Sequence, residues 1–431
     1  MNGEGEAIEA AVPLPIESAR AKSKNAIWMV LLAAFLGWMF DGLEMGIFPI
    51  IAKPALSTML PGDLKAQAHW IGNITALFLI GAACGGLVFG WLGDRIGRVK
   101  SMMLSVMAYS CFTALGYFAQ TPAQLGGLRF LAALGMGGEW SLGVALVMEC
   151  WPENKRPLLA GLIGAASNVG FVSITAVSFI FKVTEASWRW VLLAGLSPAL
   201  LTVLIQFFVP ESEKWKESVQ KSTARPLREI FSGKLLKATL FGILFASIAL
   251  IGTWGSTQMI PPWIDTISGE KIAGGSADNK LYAQLCSSVG AILGCLVAPF
   301  LGEILNRRKG YFVLCLTSLI SCQILFNYMG SFSGGQLAMV FLVGATTAAF
   351  YGWLPLYLPE LFPTRVRATG QGVSFNSGRV LAAVGAITQS QLTGYFNNDY
   401  AKACSIITLV YVIGMVFIWF APETKGKPLP E

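Results

Sequence analysis

The sequence predicts an all-α membrane protein, with twelve transmembrane helices in two pseudo-symmetric six-helix halves. Two observations predict it. Of 431 residues, 54% are hydrophobic and 13% charged, against about 25% charged in a soluble domain. The apolar residues fall in long runs of the length a bilayer requires of a helix. The charged patches between those runs also recur in pairs at nearly one spacing. Gly93-Asp94-Arg95-Ile96-Gly97-Arg98 returns 209 positions later as Gly302-Glu303-Ile304-Leu305-Asn306-Arg307. Glu149, Pro152 and Arg156 return 211 positions later as Glu360, Pro363 and Arg367, and Pro210-Glu211-Ser212 returns 212 positions later as Pro422-Glu423-Thr424. Three pairs at nearly one offset mark an internal duplication.

In chain order, residues 1–25 form a polar tail with Pro13 and Pro15, expected to be unstructured. Apolar runs then predict spans at about 26–51, 70–92, 101–119, 126–150, 157–181 and 188–209, which make the first half, residues 26–209. Residues 210–236 are charged and hold no run long enough to cross, so they read as the linker between halves. The second half, residues 237–420, has spans at about 237–260, 281–301, 310–329, 336–358, 369–393 and 401–420, and 421–431 is a second tail. The Gly-, Ser- and Asp-containing loop Pro261 to Lys280 lies on the opposite side from the linker. Most of the Lys and Arg fall on the linker side, which places both termini and the linker in the cytoplasm of a multi-pass plasma (inner) membrane protein. The net charge of +7 therefore belongs to inner loops, and nothing in it points to nucleic acid. The eight cysteines lie in or at the ends of apolar runs and read as thiols packed as small hydrophobes. No removable signal peptide is evident, and the first span serves as the insertion signal.

Charges inside spans are costly and usually have a partner or a function. Asp41 and Glu44 are three apart on the first span and so share a face. Counting depth at about 1.5 Å per residue brings Arg129 of the fourth span within a turn of Glu44, so a pair is geometrically allowed; a static structural ion pair is the bland alternative. Glu139 lies near the midplane in a Gly-rich stretch, either as a second proton site or as a hydrogen-bonded structural carboxyl. Arg379 lies near the midplane of the eleventh span with Asn376 one turn earlier, and no acid occurs in the tenth to twelfth spans to neutralise it. Its counterpart at the repeat offset is Asn168, uncharged. Three readings follow for Arg379: a fork for a substrate carboxylate, a partner for Glu139, or a snorkelling side chain. His69, the only histidine, reads as a solvated interfacial residue.

Together these motifs resemble the major facilitator superfamily along almost the whole chain, and the loop, Glu-to-Arg and Pro-Glu pairs resemble its sugar-porter-like branch. Asp41-Gly42-Leu43-Glu44, and Arg129-Phe130-Leu131 followed by Gly135-Met136-Gly137-Gly138-Glu139-Trp140, look like the sialate and aromatic-acid proton symporters. Glu149-Cys150-Trp151-Pro152 leans to the sialate and monocarboxylate side, and Ser377-Gly378-Arg379 to the aromatic-acid side. The resemblance implies alternating access around a midplane site, with proton coupling by Asp41, Glu44, Arg129 and Glu139. It implies a substrate site drawn from Arg379, Asn376, Asn73, Asn168, Trp254, Gln258, Gln284, Tyr351 and Trp353. It also implies a conformational latch of Gly93, Asp94, Arg95, Arg98, Glu149 and Arg156 with Glu303, Arg307, Glu360 and Arg367. The expected partners are a small-molecule substrate, carboxylate by preference, protons and the lipid bilayer, with a monomer as the working unit. A neutral-sugar symporter is the leading alternative, then a facilitator or exporter. The chain has no Gly-x-x-x-x-Gly-Lys-Ser/Thr loop, no metal-ligand set and no nucleophile constellation. These features argue against a transport ATPase or an enzyme, and no cofactor or metal is expected.

Overall fold

The computed structural model describes residues 16–181, 183–221, 226–269, 278–396 and 399–430. Among them the structure is helical and without strands. The first half comprises α1 (Ile16–Met59), α2 (Leu64–Ile96), α3 (Arg98–Leu115), α4 (Pro122–Met136), α5 (Glu139–Cys150), α6 (Arg156–Ile180), α7 (Trp188–Ala194) and α8 (Ala199–Phe208). Two short helices, α9 (Glu213–Lys221) and α10 (Pro226–Ile230), occupy the linker. The second half comprises α11 (Gly233–Gly255), α12 (Ile260–Gly269), α13 (Asp278–Leu305), α14 (Arg307–Tyr328), α15 (Gly334–Leu361), α16 (Arg367–Tyr395), α17 (Tyr400–Ile407) and α18 (Val410–Phe417).

Among the described residues, ten helical stretches are long and apolar enough to cross a bilayer. The other two predicted spans have specific reasons for falling short. The sixth is cut into α7 and α8 at Gly195-Leu196-Ser197-Pro198, where Pro198 cannot supply a helical N–H. The eleventh, α16, is one continuous helix of 29 residues whose Ser, Asn, Gln and Arg side chains lower its hydropathy. The fourth span is interrupted between α4 and α5 at Gly137-Gly138. There a Cβ on Gly137 would strike the Ala82 carbonyl, and one on Gly138 would strike the Phe89 side chain. At the N-terminal end, α1 begins at Ile16, inside the segment expected as an unstructured tail. Its Ala-, Lys-, Arg- and Glu-containing sequence favours helix, and residues 1–15 lie outside the described residues. Part of the loop from Pro261 is helical as α12, and residues 270–277 also lie outside the described residues.

The halves meet where α6 packs on α13 and α15, and where α2 packs on α16. Small residues permit these approaches. Gly164 abuts the Tyr351 backbone, Gly161 the backbone of Cys295 and Leu296, and Gly372 the Gly86 carbonyl. The midplane site lies between these contacts.

Candidate functional site

At the face that carries the chain's two described ends, α2 stops at Ile96 and α3 starts at Arg98. The joint is Gly97, whose φ of 112° is accessible mainly to glycine. This turn aims Asp94 and Arg98 at the other half. Arg98 donates to the Gly93 carbonyl (2.7 Å), Asp94 (2.7 Å), Glu149 (3.1 Å) and, across the interface, the Thr364 carbonyl (2.8 Å). Asp94 accepts from the Thr369 N–H (2.8 Å) and hydroxyl (2.5 Å) and from the Ala368 N–H (3.3 Å). Arg367 returns the contact by donating to Glu149 (2.9 Å). Buried and bonded to one another, these groups bolt the two halves together on this face. Arg95 stays exposed and stacks over the Trp91 ring (4.7 Å).

The second copy has the same parts. Asn306, with φ of 82°, stands where Gly97 does, and its side chain accepts from the Lys309 N–H (2.9 Å). Arg307 grips both oxygens of Glu360 (3.0 and 2.7 Å) and also pairs with Glu303 (2.8 Å). Arg156 pairs with Glu153 (3.0 Å). The third repeated motif is also explained. Glu211 accepts from the Arg98 and Val99 N–H groups (3.0 and 3.1 Å), and Glu423 from those of Arg307 and Arg308 (3.1 and 3.2 Å). Each acid thus caps the orphan donors of the helix that follows its charged loop.

Deeper in the first half, Glu44 and Arg129 form a buried ion pair. The Thr113 hydroxyl donates to Glu44 (2.8 Å), and the guanidinium lies over the Phe78 ring (4.6 Å). Asp41, one turn away, is fully buried, and neither carboxylate oxygen has a hydrogen-bond partner among the described residues. Glu139, at the first turn of α5, is in the same condition. The Ser105 hydroxyl in its neighbourhood donates instead to the Gly135 carbonyl (2.6 Å). Room for the Glu139 carboxyl comes from Gly37, where any Cβ would collide with it.

Arg379 opens onto a central cavity of two joined chambers. The first is lined by Arg379, Trp38, Phe171, Phe375, Trp254 and Leu250, among others, and the second by Thr257, Gln284, Ser287, Ser288 and Thr347, among others. Asn168, Phe171, Thr253, Gln258 and Tyr351 line both. Arg379 is 5% exposed, makes no ion pair among the described residues, and donates to the Asn376 side chain (2.9 Å) while lying over the Phe375 ring (5.1 Å). Among the described residues it pairs with neither Glu139 nor any other acid.

Three expected cavity residues lie elsewhere. Asn376 is buried behind Arg379, donating to the Gly372 and Gly137 carbonyls (2.9 and 3.3 Å) in space left by Gly86. It positions the arginine instead of facing the cavity. Trp353 is fully buried among Tyr311 (4.7 Å), Tyr357 (4.5 Å) and Phe245 (6.4 Å), because its face of α15 turns into the second half's own core. Asn73, on the outer part of α2, does not line the cavity, since α2 meets α4 and α16 instead. Sequence reading missed the rings of Trp38, Phe171 and Phe375 and the hydroxyls of Thr257, Ser287, Ser288 and Thr347. Helical spacing held a signal for two of them: Trp38 is three residues before Asp41, and Phe375 four before Arg379.

The sequence is 30% identical to the inner membrane metabolite transport protein YgcS of Escherichia coli (strain K12) over 90% of each chain. It is 28% identical to a probable 4-methylmuconolactone transporter of Cupriavidus pinatubonensis, over 94% of this chain and 92% of that one. It is 27% identical to the sialic acid transporter NanX of Escherichia coli (strain K12), over 90% and 92%. Among solved structures, the proton:xylose symporter XylE bound to 6-bromo-6-deoxy-D-glucose shares the fold with a TM-score of 0.76, at 18% identity over 94% of this chain and 98% of that one. The sequence profile of the Major Facilitator Superfamily matches residues 27–386. That match runs through both copies of the charged loop and the cavity between them, and the chain belongs to the Major Facilitator Superfamily, as a multi-pass membrane transporter and not an enzyme.

Proposed function

We propose that this chain is a proton-coupled symporter of a small organic acid, working as a monomer in the bacterial plasma membrane with both termini in the cytoplasm. The observation that carries this reading is Arg379. A guanidinium buried at the midplane, facing a cavity and lacking an acid partner, is held in place by Asn376 with donors left for a carboxylate. Relatives named as transporters of muconate, 4-methylmuconolactone and sialic acid support an acid as substrate. Residues 26–209 and 237–420 act as two halves that rock about the cavity, joined by the 210–236 linker. The Asp94, Arg98, Glu149 and Arg367 cluster latches the cytoplasmic side between turnovers.

Coupling rests on the first half. Protonating Glu44 removes the charge that holds Arg129, and releasing the proton restores the pair, so the pair converts proton binding into a change in packing between α1 and α4. Asp41 and Glu139, buried without partners, supply a second place for a proton beside the substrate arginine.

The test is reconstitution into proteoliposomes, recording currents and labelled uptake as sialic acid, lactate, benzoate and neutral sugars are added under an imposed pH gradient. Transport confined to acids is expected, with Glu44→Gln abolishing proton-driven accumulation while sparing exchange. Arg379→Ala should weaken binding of the acid by about ten- to a hundredfold. Transport of sugars alone, with Arg379→Ala harmless, would replace this reading with the neutral-sugar symporter that the hydroxyl-lined second chamber also favours.

A further inference from the structure

The two chambers differ in charge, and that difference constrains the ligand beyond its carboxylate. We infer that the substrate is a monocarboxylate whose far end carries neutral oxygen or nitrogen groups, and that this cavity rejects dicarboxylates, in contrast to the relative named for transport of cis,cis-muconate, a dicarboxylate. This inference rests on the proposal that Arg379 binds a carboxylate.

Among the described residues lining the two chambers, Arg379 is the only charged side chain. It sits in the first chamber, beside the rings of Trp38, Phe171 and Phe375, which present apolar faces to a compact ligand body. The second chamber offers hydroxyls and an amide: Thr257, Ser287, Ser288, Thr347 and Gln284. Their hydrogen bonds to one another leave capacity unused. The Thr347 hydroxyl donates to the Val343 carbonyl (2.7 Å) and shares a contact with the Thr257 hydroxyl (3.1 Å), which leaves lone pairs free, and the Gln284 amide donates once, to Ser288 (3.2 Å). Thr347, Ser287 and Ser288 are all nearly or fully buried, so water from bulk does not satisfy them for free and a ligand group that does so gains by it.

At the waist between the chambers, Asn168 makes a single long contact to the Cys295 sulfur (3.9 Å). Gln258, in both linings, makes no hydrogen bond among the described residues. These amides can donate to or accept from a neutral ligand group passing between them. A second carboxylate would enter the far chamber with no cation among its described lining residues to meet it. A buried anion without a partner is strongly disfavoured, whereas a hydroxyl, carbonyl or ring nitrogen finds matched partners there.

The decisive experiment uses three acids of one length on the purified full chain: hexanoate, 6-hydroxyhexanoate and hexanedioate (adipate). Binding is followed by quenching of tryptophan fluorescence and by calorimetry at neutral pH. We expect 6-hydroxyhexanoate to bind more tightly than hexanoate, and adipate to bind on the order of tenfold to a hundredfold more weakly than the hydroxy acid. The double variant Ser287→Ala/Ser288→Ala should erase the preference for the hydroxyl, so that 6-hydroxyhexanoate binds no more tightly than hexanoate. Should that variant not fold, the wild-type series decides alone.

Adipate binding as well as 6-hydroxyhexanoate, with all binding still lost in Arg379→Ala, would overturn this inference and leave the carboxylate site standing. So would equal binding of hexanoate and 6-hydroxyhexanoate. If Arg379→Ala binds all three acids as the wild type does, or none of them binds the wild type, the carboxylate site itself falls and this inference with it.

Discussion

Arg98 and Arg307 stand at equivalent points of the two halves, each following a glycine-and-acid loop and each gripping the acid of its partner helix, yet they do different things. Arg98 and its neighbour Asp94 bond across the interface to Thr364, Ala368 and Thr369. Arg307 bonds Glu303 and Glu360, all within the second half. The cause is two residues long. Where the second half presents Ala368-Thr369, with two N–H groups and a hydroxyl, the first half presents Pro157-Leu158, with one N–H and no hydroxyl. Proline cannot donate and leucine has no hydroxyl, so two of the three donors that Asp94 meets have no counterpart for Glu303, whose side chain is 39% exposed. Duplication copied the charged loop, but only one copy found its receptor on the other half.

The interiors diverge in the same sense. The first half buries Asp41, Glu44, Arg129 and Glu139. The second half fills its core with Tyr311, Phe350, Trp353 and Tyr357 in ring contact, and Phe350 stands at the repeat's offset from Glu139. One half buries ionisable groups, and the other packs rings while contributing the cavity's polar wall.

The largest expected effect that tests this asymmetry is on stability. Glu149→Gln takes the carboxylate from both Arg98 and Arg367 at a site with no side-chain exposure. Breaking a buried pair in that way costs about 3–5 kcal/mol, seen as a large fall in the unfolding temperature in detergent. Glu303→Gln, at its partly exposed site, should cost no more than about 1 kcal/mol. Equal losses would mean that the second loop is as deeply bonded as the first.

A smaller effect is expected on rate. Asp94→Asn weakens the bonds to Arg98 and to the Thr369 hydroxyl without opening a cavity. It should slow exchange by roughly tenfold, since about 1.4 kcal/mol on a barrier is a factor of ten, while equilibrium affinity stays near that of the wild type. Glu303→Gln should exchange at close to the wild-type rate. A large affinity loss in Asp94→Asn would remove it from the latch and tie it to the substrate site.

How far these differences could be read beforehand depended on what each residue's partners are. The repeated loops were legible because glycine, acid and base recur in order, and the nearness of Glu44 to Arg129 because depth along two helices can be counted. Asn376 and Trp353 were misplaced for one reason: helical spacing gives a residue's face but not which neighbour that face meets. For Asn376 the deciding feature is Gly86 on α2, distant in sequence, which clears the space it fills. Gly37 does the same for Glu139. The one-sidedness of the latch was written in Pro157, but its meaning depends on knowing that Glu303 would have needed that N–H.

The smallest expected effect separates the two capping acids by pH. At Glu211, burial outweighs the N–H groups of Ser212, Val99 and Arg98 and pushes the carboxyl above its ordinary value. At Glu423, burial is weaker than the backbone N–H groups of Lys425, Arg308, Arg307 and Thr424, which together hold the carboxyl below it. The signs are therefore opposite. Glu423 contributes stability at pH values above the unfolded carboxyl's pKa, about 4.3, and loses it as pH falls through its depressed value. Glu211 takes up its proton in the folded state first, so for this group folding becomes more favourable as pH falls from neutral towards about 4.3. Unfolding temperature measured against pH should then show the two variants parting from the wild type in different windows. For Glu211→Gln the altered slope lies between neutral pH and about 4.3, and for Glu423→Gln it appears only below that value. Because Glu423 is largely solvent-screened, its change should amount to no more than several tenths of a kcal/mol. The same window for both variants would mean that the two caps, unlike the loops they serve, remained equivalent after duplication.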